Sequence, residues 1–205
     1  MKAFVSLSER IGSDGVVWRY DPVILSPRTP AAWHRENFAR LLDRLAGKTR
    51  RLIVSVVDPC RKTLRGLGTD RDGIVYDPAA YRDLLAWMAA AATGHGLSIQ
   101  SCAEPVLVSA GIPAGRCVDG NLLLTRRRER GLDSEPLRFA LHRQREGCLC
   151  HRSVDIGVNN TCGFGCTYCY ATSDPERARD LLLRHDSASP CIAARQTGID
   201  PHYRC

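Results

Sequence analysis

The sequence has no apolar run of the roughly 20 residues that a membrane-spanning helix requires. Its opening residues, MKAFVSLSERIG, are broken by charge and hold no apolar signal core with a small-residue cleavage site. These absences predict a soluble, cytoplasmic protein with no membrane partner. No repeat of solenoid length is present, which excludes a stacked array. Aromatic residues make up only 6% of the chain. The densest basic run, TRRRERG at 125–131, contains none of them. The interleaving of cations with stacking rings that single-stranded nucleic-acid sites use is therefore missing. The net charge of +7 reads first as an arginine-rich solvated surface. An anionic partner such as nucleic acid, a phosphate or a nucleotide is the alternative.

What is present is otherwise ordinary for a globular protein, with 44% hydrophobic and 25% charged residues. The 205 residues allow one domain or one and a half. Cysteine is the exception, with ten. A secreted disulfide scaffold would spread them as a framework behind an export signal. Here half of them fall between positions 148 and 169. Clustered thiols of this kind point to metal binding or catalysis.

Residues 3–11 read as a short amphipathic helix with Phe4, Leu7 and Ile11 on one face. GVVWRYDPVIL reads as a strand ending near Tyr20. PAAWHRENFARLLDRLAG reads as a helix, with Trp33, Phe38, Leu41, Leu42 and Leu45 as its apolar stripe, Pro30 near its start and Gly47 near its end. RLIVSVVD at 51–58 is a continuous apolar run that suits a buried parallel strand. A loop with Gly66, Gly68 and Gly73 follows. Residues 78–94 read as a helix capped by Asp77 with Pro78 first, and GLSIQSCAE as a third strand. Strands alternating with helices predict an α/β fold of βα units around a parallel sheet. A full barrel takes about 250 residues. The expectation is therefore a partial (β/α) barrel with parallel strands over residues 1–120. Residues 121–205 then form a loop-rich, cysteine-containing, cluster-binding segment packed on it.

The three strands end in RYDP, VVDP and CAEP, each an acidic residue followed by proline. In βα architectures the C-terminal strand ends form the active-site rim. Asp21, Asp58 and Glu104 would then face one mouth, with Arg19, Lys62 and Cys102 nearby. The local alternative is that an acidic residue before proline caps the next helix. Glu104 carries the functional reading furthest, because Glu caps less well than Asp.

NNTCGFGCTYCYA, residues 159–171, places Cys162, Cys166 and Cys169 in a C-x3-C-x2-C pattern. Thiolates bind soft metals, and three on one short loop offer three corners of a site without long-range folding. Gly163 and Gly165 let the backbone curl around such a centre, and Tyr168 and Tyr170 flank it as a screen against water. A role as ordinary buried cysteines does not explain this spacing among glycines. A zinc site can be assembled if Cys148 and Cys150 of CLC, or the adjoining His151, join Cys166 and Cys169. C-x3-C-x2-C is also similar to the three-thiolate signature of radical S-adenosylmethionine enzymes. In those, three cysteines hold a four-iron cluster (4Fe-4S) and the fourth iron binds the cofactor; Tyr168, before the last cysteine, matches as well. Thiolate-only chemistry favours iron–sulfur over zinc. Cys102, Cys117, Cys148 and Cys150 are enough for a second cluster or a zinc site. Cys60, Cys191 and Cys205 receive no role.

Taken in order, VVWRYDP, VSVVD, QSCAEP, GRCVDG, CLCHRSVDIG and NTCGFGCTYCYA make the chain resemble the family called domain of unknown function 1848, from residue 3 to about 190. The resemblance implies a βα-barrel with a radical-S-adenosylmethionine-like cysteine motif. On it Cys162, Cys166 and Cys169 take the triad positions. Cys102, Cys117, Cys148 and Cys150 take the other cysteine positions, and Arg19, Asp21, Glu104, Asp119 and Asp155 the polar ones. Family members carry an N-terminal section with an Arg-Arg-Thr-Asp-like start that this sequence lacks. The expectation is a fragment, or a chain that works with that section or a partner chain. Cys60 stands where the family usually has an aromatic, and Thr172 where Asn is usual. In established radical S-adenosylmethionine enzymes the triad follows the first strand; here it follows the last recognisable one, and no glycine-glycine-acidic motif follows a strand.

The first reading is an iron–sulfur protein, a radical-S-adenosylmethionine-like enzyme. Cys162, Cys166 and Cys169 would hold the cluster, an electron donor would reduce it, and Glu104, Asp58 and Arg19 would line the mouth over an unknown small-molecule substrate. The second is a zinc- or cluster-stabilised binding module for an anionic partner such as nucleic acid. The acidic strand ends repel a polyanion and favour the first.

Overall fold

The structure is a computed structural model that describes residues 1–68, 73–108, 111–132, 137–142, 146–154 and 157–188, without the side chains of Lys62, Pro105 and Val106. Asp155, Cys191 and Cys205 lie outside the described residues. The chain divides into two compact units, Met1–Val57 with Ile74–Ser153, and Asp58–Gly73 with Val154–Cys205.

The first unit is mixed α/β. Strands β1 (Val17–Val23), β2 (Arg51–Val56) and β3 (Ser98–Ser101) form one open parallel sheet in the order β1-β2-β3. The predicted α/β class and parallel strands are found, and the sheet is not closed. Helix α1 (Lys2–Ile11) precedes β1, α2 (Ala31–Leu45) connects β1 to β2, and α4 (Arg82–Gly94) leads into β3. Side chains along a strand alternate between faces. One face carries Trp18, Tyr20, Leu52, Val54, Val56 and Ile99, which join Phe38, Leu42 and Leu45 of α2 and Leu84, Leu85, Met88 and Ala92 of α4 in the core. Each large apolar side chain buried there contributes about 1.5–3 kcal/mol. The opposite face carries Arg19, Asp21, Arg51, Ile53, Ser55 and Gln100; Arg19 pairs with Ile53 and Ile53 with Gln100. It is largely polar, and the candidate chemistry gathers on it.

Several local expectations change. β1 does not stop at Tyr20 but runs through Pro22 to Val23, with a register irregularity between Tyr20 and Val23. An edge strand tolerates proline because its outer N–H has no strand to meet. In α2 the buried face holds His34, whereas Trp33 is exposed. The His34 ring lies between Tyr20 and the loop: Tyr20 Oη is 2.9 Å from Nδ1 and the Ile24 carbonyl 2.9 Å from Nε2. In α1, Leu7 is exposed and Ser8 is buried, its hydroxyl donating to Lys48 O at 2.6 Å. The segment read as one helix over 78–94 begins as a 3-10 turn, Pro78–Tyr81, with Asp77 accepting from Ala79 N–H at 2.9 Å. The loop predicted around Gly66 contains a helix, α3 (Arg61–Leu67), which belongs to the second unit. Among the described residues no helix is long and apolar enough to cross a membrane.

Candidate metal centres

Beyond β3 the first unit lays further strips of backbone side by side. Ser101 bridges Ala114 in parallel, through Ser101 N–H to Pro113 O and Gly115 N–H to Ser101 O, both 2.8 Å. The next strip follows, with His151 N–H donating to Val118 O at 3.1 Å and Arg116 Nε to Leu149 O at 3.0 Å. Gly115 permits this lacing, since a Cβ there would stand 2.6 Å from Gln100 Cβ. The strips bring together thiols that are far apart in sequence. The Sγ atoms of Cys102 and Cys117 are 3.0 Å apart. Cys148 and Cys150 are buried. Cys150 N–H points at Cys148 Sγ and Val118 N–H at Cys150 Sγ, each at 3.5 Å. Hydrogen bonds to sulfur are one means by which a protein tunes a metal–thiolate centre.

The electrostatics follow from the polar sheet face. Arg19 donates from Nε to Asp21 at 3.0 Å and pairs with it again through a terminal nitrogen, while Ser55 donates to the other Asp21 oxygen. Burial lowers the Arg19 pKa, but Asp21, Cys117 and Cys102 together outweigh it and leave the guanidinium raised. The hydrogen bond to Cys102, then burial, push the Cys117 thiol well up; Arg19 opposes this and Cys150 adds to it. Close thiols that cannot easily share negative charge are a group that a soft cation relieves, because it replaces their protons. Nearby, Asp119 caps α6 (Gly120–Glu129), accepting from Asn121 and Leu122 N–H at 3.1 and 3.4 Å. Burial raises its carboxyl, yet Arg51 at 2.8 Å and those amides hold it below the usual range. His151 is turned to the backbone: its Nδ1 accepts from Gly120 N–H at 3.0 Å.

In the second unit the loop bearing Cys162, Cys166 and Cys169 is closed at its base by Asn160. That residue sits at φ 58, a left-handed conformation that Asn tolerates. Its Oδ1 accepts from Ser173 N–H at 2.8 Å and Asp174 N–H at 3.1 Å, and its own N–H donates to Ala171 O at 3.1 Å. Within the loop Cys169 N–H donates to Cys166 O at 3.0 Å, and Gly165 turns the chain at φ 66. Helix α3 backs the loop, with Thr63 donating to Tyr168 O at 3.4 Å. A Cβ on Gly66 would collide with Thr167 O, so α3 reaches the loop only because that position is glycine. Helix α7 (Pro175–Leu183) follows, with Asp174 accepting from Arg177 N–H at 2.9 Å and Pro175 in its first turn. Cys162 and Cys166 are exposed and Cys169 is half-buried. Tyr170 is 51% exposed and Tyr168 half-buried.

All eight described cysteines are thiols. Among the described residues no three Cys, His, Asp or Glu side chains are preassembled around a point where an ion would sit. Both groups nevertheless offer sulfur donors, the chemistry that selects zinc and iron–sulfur clusters. Of the predicted mouth residues, Arg19 lies within electrostatic reach of Cys102 and Cys117. Glu104 is buried two residues beyond Cys102, its carbonyl accepting from Leu107 N–H at 3.0 Å ahead of α5 (Pro105–Val108). Asp58 is exposed in the second unit, and Cys60, not Asp58, occupies the N-cap of α3. Asp21 lies inside β1 and caps nothing; it is held by Arg19 and Ser55. Ser55 and Asn160 were not singled out in the sequence. Asn160 had a signal, because Asn is favoured where a turn needs positive φ. Ser55 had none inside its apolar run.

No curated protein matches this chain. No solved structure matches it either. The family model described as Domain of unknown function (DUF1848) matches residues 1–171, which span the sheet, the four laced thiols and the C-x3-C-x2-C loop, and the chain belongs to that family.

Proposed function

We propose that this chain is an iron–sulfur protein of the radical S-adenosylmethionine type, with its cluster on Cys162, Cys166 and Cys169. The observation that carries the reading is a sulfur-only donor set on one loop, cinched at its base by Asn160, with Cys162 and Cys166 open to solvent. When bound there, a four-iron cluster with one iron left open supplies one-electron chemistry toward S-adenosylmethionine. The chain's own part is to hold the thiols in place. Gly165 and the Cys166–Cys169 turn set their spacing, Asn160 keeps the loop ends together, and Gly66 lets α3 back the loop. Glu104, Asp58 and Arg19 are proposed as polar residues that serve an unknown small-molecule substrate. The reading requires an external one-electron donor and a reducing compartment such as the cytoplasm, where thiols stay reduced.

Anaerobically purified protein is expected to be brown and to contain iron and sulfide in near-equal amounts. C162A, C166A and C169A should each lose most of both. The reduced protein should convert S-adenosylmethionine to 5′-deoxyadenosine and methionine. A colourless protein with zinc on the triad would overturn the reading and favour a zinc-stabilised binding module.

A further inference from the structure

We propose that Cys102, Cys117, Cys148 and Cys150 form a second, separate site for a single soft divalent cation, zinc by its chemistry, which staples the segment after β3 to the sheet edge. The site lies wholly in the first unit and does not depend on the triad reading.

The donor set is four thiols, which suits a closed structural zinc site. Two thiolates on one tetrahedral zinc, each about 2.3 Å from the ion, stand about 3.8 Å apart. The Cys102–Cys117 separation of 3.0 Å is about 0.8 Å shorter than that, a gap that a small side-chain movement closes. A cubane cluster would set those thiolates on different irons and hold them farther apart, and a disulfide would require about 2.0 Å. The pair is therefore bonded by no disulfide and stands within a small movement of sharing one ion. The other two sulfurs are already oriented, since the Cys150 and Val118 amides point at them, and Cys150 lies within electrostatic reach of Cys117. The ion completes the convergence by drawing the Cys148–Cys150 strip onto the Cys102–Cys117 pair, so binding is coupled to local folding. Four thiolates around one divalent ion leave negative charge, and Arg19 supplies the countercharge from β1. His151 is left out of the donor set, because its Nδ1 accepts from the Gly120 amide, which keeps the neutral ring's proton on Nε2.

The full chain, stripped with a chelator, is titrated with cobalt(II) as a spectroscopic probe. The triad variant C162A/C166A/C169A should still take up one equivalent, with the thiolate charge-transfer and intense visible bands of a tetrahedral sulfur site. C102S/C117S and C148S/C150S should each lose those bands. A readout on the unmutated chain guards against misfolded variants. Zinc should slow alkylation of the exposed Cys117, followed by peptide mass mapping, by about tenfold or more, because a bound thiolate is no longer an available nucleophile. Chelator should restore the rate. The proposal is overturned if the triad variant binds no cobalt, if the bands survive C102S/C117S, if Cys117 alkylation is indifferent to zinc, or if the metal held by these four thiols is iron accompanied by sulfide. Absence of iron at the triad would sink only the reading of the previous section.

Discussion

The two thiol groups are assembled by opposite means. Cys162, Cys166 and Cys169 belong to one turn-rich loop, and the bonds that shape it are made by Asn160, Ser173 and Asp174 at its own ends. Cys102 and Cys117 meet, and Cys148 and Cys150 are carried to the same sheet edge, only after β3 has found β2 and two strips of backbone have been laid beside it. Closing a short loop costs less chain entropy than joining distant segments. The first group is therefore a local device on a loop, and the second is a consequence of the sheet. Metal at the triad should matter for chemistry and little for the stability of the first unit. Metal at the other four should matter for that stability above all.

The largest effect should come from exchanging which group is removed. All three tryptophans, Trp18, Trp33 and Trp87, lie in the first unit, so their fluorescence during denaturant unfolding reports that unit. C148S/C150S should lower the unfolding midpoint sharply and open residues 111–154 to protease, since structural zinc contributes an apparent ~10 kcal/mol or more to folding in small sites. The triad variant should leave the midpoint in place. Equal shifts from both variants would abolish the contrast drawn above.

Next come the two glycines at close approaches. Gly66→Val should push α3 off the triad loop, reducing iron content with little change in tryptophan unfolding. Gly115→Val should do the reverse, at a cost of about 1–3 kcal/mol typical of overpacking. Iron content that responds to Gly115→Val and not to Gly66→Val would count against the assignment of α3 to the loop.

A smaller effect is expected at the loop base. Asn160→Ala removes two amide hydrogen bonds to Oδ1, each worth about 0.5–1.5 kcal/mol. It also places alanine at positive φ, a further cost of about 1–2 kcal/mol. The cluster should be lost faster to an iron chelator, and Asn160→Asp, which keeps an acceptor, should lie between. Loss rates identical to the wild type would show that the base bonds do not hold the loop.

The smallest effect belongs to pH and again to one unit only. Burial holds the His34 pKa below its ordinary value, with the Ile24 carbonyl opposing. The unfolded chain takes up a proton near pH 6.5 while the folded chain does not. The stabilisation from keeping His34 neutral is therefore complete above about pH 6.5 and is lost as pH falls through and below it. The tryptophan midpoint should decline on acidification, and His34→Gln should flatten the decline. A decline unchanged in His34→Gln would assign it to other groups.

What the sequence determined by itself is the part carried by neighbours along the chain. The apolar run at 51–56, the helical periodicity of α2 and the turn residues around Cys162, Cys166 and Cys169 each act over a few positions, and each was legible. So was the kind of chemistry, because sulfur donors select soft metals whatever fold surrounds them. Tertiary structure decided the rest. Gly66 reads as a helix breaker, yet it stands inside α3 because Thr167 approaches where a side chain would be. His34, not Trp33, faces the core because Tyr20 and the Ile24 carbonyl supply both of its hydrogen bonds from another element. Cys102 meets Cys117, and Arg19 faces both, because β1, β2 and β3 lie in that order with their polar side chains on one face. Such pairings depend on which strips of backbone lie side by side, and that is fixed by burying the whole apolar face at once, a free energy to which no short stretch of sequence contributes alone.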